Sequence, residues 1–205
     1  MTRAVALFLA LATVAQAMPA EGLSASDALA GKTISDIDWA VQAFPGGEVL
    51  HMTGTVETVW AKLLAINPNY VADWGIEDPV NETENVTLEK RTDFTGSALI
   101  CRKDVSSAHF ARQGIAYLRR ISGQPTNGAG PANCGRVSCS ERTAIWWCND
   151  TTSPKTLASF GSIADGAQWI VDRCSWVGDS GVYSYTAGQV FHSTNWNVII
   201  TTANC

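Results

Sequence analysis

The chain has 205 residues, 46% of them hydrophobic and 16% charged, with a formal net charge of −5. A composition this apolar excludes a disordered or collagen-like chain. The acidic balance gives no support to a nucleic-acid binder.

The first seventeen residues run from a basic Met1-Thr2-Arg3 through an apolar stretch, Ala4 to Val14, to Ala15-Gln16-Ala17. A basic start, a core too short to span a bilayer and a small-x-small end predict a secretory signal peptide cut after Ala17. No later stretch is long and apolar enough for a membrane anchor, so the expected location is extracellular.

Residues 18–91 form an acidic segment, four cations against twelve anions for a net of −8, and contain no cysteine. Within it, residues 53–68 place Val56, Val59, Trp60, Leu63 and Leu64 on one stripe. That spacing predicts an amphipathic helix ended by Asn67-Pro68, with Glu57 near its start where the dipole favours an anion. A helix this short needs a surface to lie on, and the expectation is that it covers the downstream domain. The segment ends in sequons at Asn81 and Asn85 and in Leu88-Glu89-Lys90-Arg91-Thr92. A dibasic pair in an acidic linker suits a kexin-type processing protease, whose acidic subsites pair with Lys90 and Arg91. The predicted organisation is therefore signal peptide 1–17, pro-segment 18–91 and mature domain 92–205.

Past Arg91 the balance reverses, with nine cations against seven anions for a net of +2. All six cysteines lie here: Cys101, Cys134, Cys139, Cys148, Cys174 and Cys205. An even number in a small secreted domain predicts three disulfides, with connectivity left open. Their spacings lack the paired short intervals of zinc modules, so no metal site and no cofactor is expected. Residues 94–102 read as a strand and 106–121 as a helix stopped by Gly123. Residues 127–135 read as a loop. Two strands follow, at 136–140 and 143–150. A helix from Ser162 carries Ile163, Ala167, Ile170, Val171 and Cys174 on one face, Asp165 making a capping-box-like start. Two last strands span 182–192 and 196–202, the latter with Trp196, Val198 and Ile200 alternating on one side. The order βαββαββ predicts an α+β fold, a disulfide-stapled α/β sandwich of the split, ferredoxin-like kind: an antiparallel sheet with two helices and one extra strand.

Chemistry-bearing groups are sparse. His109 and His192, with an arginine, would suit a ribonuclease-like hydrolase if they met in one cleft, but nothing in their spacing joins them. Asp165 and Asp172, seven apart on a helix, read as a solvated face rather than a glycosidase pair. No nucleophile elbow is present, and the expectation is a non-enzyme. Adjacent Trp146 and Trp147 must face opposite sides of a strand, one in the core and the other covering the second face or open to bind sugar or protein. Arg112 and Arg119 share a helix face that could meet an anionic partner. Asn149-Asp150-Thr151 is a third sequon, at a strand end where a surface glycan would fit.

The segments GTVETVWAKLLAINPNY (54–70), CGRVSCS (134–140), AIWWCND (144–150), IADGAQWIVDRC (163–174) and HSTNWNV (192–198), with the signal peptide and the Lys90-Arg91 site, resemble the small secreted cysteine-rich proteins of filamentous fungi classed as candidate effectors. In element order the chain is more remotely similar to killer-toxin-like and necrosis-inducing effector domains. The resemblance implies secretion toward a host or competing microbes, a binding or toxic role without catalysis, and an extracellular protein or glycan as target. It supplies no catalytic residues. The alternatives are the small hydrolase and a carbohydrate- or wall-binding module built on Trp146 or Trp147.

Overall fold

The computed structural model describes residues 27–76 and 91–205. The segment expected to be a signal peptide, with Ala17, the sequons at Asn81 and Asn85, and Lys90 lie outside the described residues. Before the dibasic site the chain forms a short 3-10 turn (Asp27–Leu29), β1 (Thr33–Ile34), β2 (Asp38–Gln42), β3 (Val49–Met52), α1 (Val56–Ile66) and α2 (Tyr70–Asp73). After it come β4 (Leu99–Cys101), α3 (Ala108–Arg120), β5 (Gln124–Asn127), β6 (Asn133–Ser140), β7 (Thr143–Asn149) and β8 (Lys155–Thr156). Then follow α4 (Gly161–Cys174), β9 (Ser175–Val177), β10 (Ser184–Thr186), β11 (Gly188–His192) and β12 (Trp196–Thr202). The fold is mixed α+β with sheet predominating.

Six strands form the main sheet in the order β1-β6-β7-β12-β11-β4, antiparallel except for β1 against β6. Strand β7 is buried along its whole length, as a strand covered on both faces must be. Ile145 and Trp147 enter the main core, while Ala144, Trp146 and Cys148 join Leu29, Cys134 and Ile199 in a second cluster. Trp196, Val198 and Ile200 of β12 point into the main core as the alternation predicts. The split ferredoxin-like pairing is not what forms. The β11–β12 hairpin lies between β4 and β7, so the first strand of the downstream region sits at an edge. Strands β5, β8 and β9 also lie outside the expected order. Gln124-Pro125-Thr126-Asn127 carries two residues depleted in strands, yet β5 is hydrogen-bonded between β2 and β8.

The upstream segment is built into this core rather than laid over it. Helix α1 buries Val56, Val59 and Leu63, with Trp60 and Leu64 packed partly against the same core. Strand β2 turns Trp39 and Val41 inward, and the Trp39 indole stacks on Phe160 with centroids 4.5 Å apart and planes 12° off parallel. The Glu57 carboxylate accepts from the Ser138 hydroxyl at 2.6 Å and from the Cys139 N–H at 3.3 Å. Asn67 donates to the Ala43 carbonyl at 2.8 Å, closing the segment on itself.

Three disulfides use all six cysteines: Cys101–Cys174, Cys134–Cys148 and Cys139–Cys205. They tie β4 to the end of α4, join β6 to β7 in register and fix the last residue to β6. Each constrains the unfolded chain, typically by about 2–4 kcal/mol. None reaches the upstream segment, which is held by packing and hydrogen bonds alone.

Candidate functional site

Where the described chain resumes at Arg91, it runs over the start of α4 and the end of α3. The Thr92 backbone N–H donates to Asp165 Oδ2 at 2.7 Å, and Arg119 Nη1 donates to Asp165 Oδ1 at 2.8 Å. Asp165 thus does not cap its own helix: α4 starts at Gly161, and Phe160 at its cap makes no side-chain bond. The carboxylate is claimed by partners 73 and 46 residues away. Its side chain is only 9% exposed, so both oxygens need these donors.

Two residues on, the Phe94 ring lies against Gly166, where an added Cβ would come within 2.9 Å of Phe94 Cζ and 2.7 Å of Val198 Cγ2. Glycine here is a requirement of ring approach. Phe94 is met edge-on by His192 at 5.2 Å and Trp196 at 5.5 Å, and His192 stacks on Trp196 at 4.8 Å. The Thr194 N–H donates to His192 Nδ1 at 3.2 Å, which leaves the proton of the neutral ring on Nε2. Partial burial and the Lys155 cation hold the His192 pKa below its ordinary value, against a smaller opposing pull from Asp93. The Asp93 carboxyl is itself lowered by hydrogen bonds from Thr95. Beside this cluster the Arg173 guanidinium sits 3.3 Å from the centre of the Trp169 ring, a cation–π contact. Between them opens a cleft of about 340 Å³ lined by Arg91, Thr92, Asp93, Phe94, Arg119, Asp165, Gln168, Trp169, Asp172 and Arg173.

His109 is not part of it. Ser106 and Ser107, at the start of α3, bond to Thr186 and Tyr185 of β10, whereas His192 ends β11 in the main sheet. The two imidazoles keep separate neighbours, His109 against Gln113 and Phe110, His192 against Thr194, Phe94 and Trp196. Asp172 accepts from Gln168 at 2.7 Å on the outer face of α4. Trp147 is fully buried and Trp146 is 7% exposed, its face covered by Arg136 at 5.8 Å. One indole fills the core and the other covers the second face, and neither makes a sugar platform. Arg112 is exposed, while Arg119 is drawn into the Asp165 pair. Asn149 requires a correction. It is fully buried, and its amide donates to the Gly128 and Ser153 carbonyls, each at 2.8 Å. A glycan would replace one of those bonds with no path to solvent, so the third sequon does not suit glycosylation in the folded chain.

A second feature lies on the β9–β10 hairpin. Val177, Val182 and Tyr183 are 64%, 75% and 64% exposed, and Val105, beside the Ser107–Tyr185 bridge, is 64% exposed. Trp176 and Tyr185 pack beneath at 5.8 Å, with Lys103 Nζ 4.6 Å above the Trp176 ring. Val177 follows Trp176 in β9 and so stands on the other face of the hairpin from that aromatic pair; large apolar side chains left this exposed on a hairpin and its turn are a contact feature. Reading residues 182–192 as one strand concealed it; the signal was a Val-Tyr pair directly after Asp179-Ser180-Gly181, where a turn is otherwise polar.

Comparisons with family models, curated proteins and solved structures return no match.

Proposed function

We propose that this chain is a secreted, proteolytically matured effector or toxin-like protein of filamentous-fungal type that acts by binding a protein on the surface of a host or competing cell. The observation that carries the reading is the exposure of Val177, Val182 and Tyr183 on the β9–β10 hairpin, with exposed Val105 nearby and Lys103 over the hairpin's Trp176. Tyrosine is enriched among residues that anchor protein contacts and has few torsions to freeze, and a nearby cation steers toward an acidic target. Three disulfides suit an oxidising compartment, and among the described residues no helix is long and apolar enough to cross a membrane.

The test is a double variant, Val182→Ser with Tyr183→Ser, in the disulfide-intact protein. Because both side chains are exposed, thermal stability should stay within about 0.5 kcal/mol of the parent. Retention of the labelled protein on plant and microbial cell surfaces, and any growth or necrosis response, should fall at least about tenfold, the loss of one buried aromatic anchor. Undiminished retention by a folded double variant would remove the hairpin as the binding surface.

A further inference from the structure

The geometry points to Asp165 as a receiving site for a new chain terminus: cleavage after Arg91 frees the Thr92 α-amine, which as an ammonium forms an ion pair with the Asp165 carboxylate and fixes the matured form. The inference rests on the reading of Lys90-Arg91 as a processing site. It does not depend on the hairpin or on any target.

Three observations support it independently of one another. The residue directly after the dibasic pair is the one whose nitrogen already lies 2.7 Å from Asp165 Oδ2. The carboxylate is almost fully enclosed and oriented by Arg119 on its other oxygen, so it does not have to move to receive a charge. Arg91, by contrast, is exposed, which leaves the basic side chain free for the acidic subsite of a protease.

The chemistry balances with water as the only co-reactant and a dibasic-specific serine protease as catalyst. The Arg91 carbonyl carbon to Thr92 nitrogen bond breaks, and water oxygen goes to Arg91, which becomes a carboxylate. The nitrogen takes up protons to become the Thr92 ammonium. One amide donor is replaced by three donors and a full positive charge, so a neutral hydrogen bond to Asp165 becomes a charge-assisted one. The new Arg91 carboxylate forms at a cleft whose lining holds both anions, Asp93, Asp165 and Asp172, and cations, Arg119 and Arg173. Maturation in this scheme creates the new terminus and fixes it in a single step.

The reactivity of the terminus tests this. The purified full chain is nicked with a kexin-type protease, and the Thr92 peptide is followed by mass spectrometry during exposure to cyanate, which attacks only the neutral amine. Pairing with Asp165 should slow carbamylation of Thr92 at least about tenfold relative to Asp165→Asn. Should Asp165→Asn fail to fold, a variant with one glycine inserted between Arg91 and Thr92 keeps Asp165 and displaces the amine, and it should react at the fast rate. Equal rates in the parent and either folded variant would overturn the anchor. Failure of the processing reading looks different: the protein secreted by its native producer would then show no peptide beginning at Thr92.

Discussion

Replacing Trp39 by alanine tests the claim that residues 27–76 belong to the core and are not a detachable cover. Trp39 is fully buried, stacks on Phe160 at 4.5 Å and donates its Nε1–H to the Gly54 carbonyl at 3.0 Å. Removing a buried tryptophan costs about 3–5 kcal/mol, and the carbonyl that loses its donor adds about 1 kcal/mol. Trp39→Ala should therefore lose about 5 kcal/mol. With a urea slope of about 2 kcal/mol/M, the unfolding midpoint falls by about 2–2.5 M. Circular dichroism against urea on the full chain reads this directly. Ile34→Ser, at a position on β1 that is 53% exposed, serves as the control and should move the midpoint by less than about 0.3 M. A shift below about 0.5 M for Trp39→Ala would mean that the upstream segment does not contribute to the global fold. In the nicked protein the same substitution should release the upstream chain, since no disulfide retains it.

Two further outcomes are expected. Because folding lowers the proton affinity of His192, the unfolded chain binds that proton more tightly. Stability from this source is complete above the ordinary histidine value of 6.5 and is lost as pH falls from there toward the folded-state value. A urea series at several pH values should show that acid-side loss, and His192→Gln should flatten it; an unchanged slope in that variant would assign the loss to other groups. Protein made in a glycosylating host should carry no glycan on Asn149, and Asn149→Ala should cost about 2–3 kcal/mol through the unpaired Gly128 and Ser153 carbonyls. An Asn149 glycopeptide from folded protein would refute this.

Much of the local structure was legible beforehand. The stripe Val56, Val59, Leu63 and the α4 face from Ile163 to Cys174 are buried as their 3.6-residue period requires. The alternation of Trp196, Val198 and Ile200 and the parity of six cysteines were equally sufficient. Strand β2 carried a readable signal as well, since Ile37, Trp39, Val41 and Ala43 recur at period two and all are buried. Periodicity of this kind states that one face must leave water. It does not state which surface that face will meet.

The tertiary structure decided the partners. Strand β5 has a weak strand sequence and exists because β2 and β8 offer hydrogen bonds on either side. Asp165 obeys the local rule for a helix cap in sequence, yet enclosure beside Thr92 and Arg119 gives its oxygens stronger donors from elsewhere. Asn149 satisfies a three-residue glycosylation pattern, while burial assigns its amide to two backbone carbonyls. The sequence by itself determined which faces must be buried and that the cysteines pair. The folded chain determined sheet order, connectivity and the occupant of each carboxylate and amide, because those depend on groups brought together across tens of residues, where no local spacing records them.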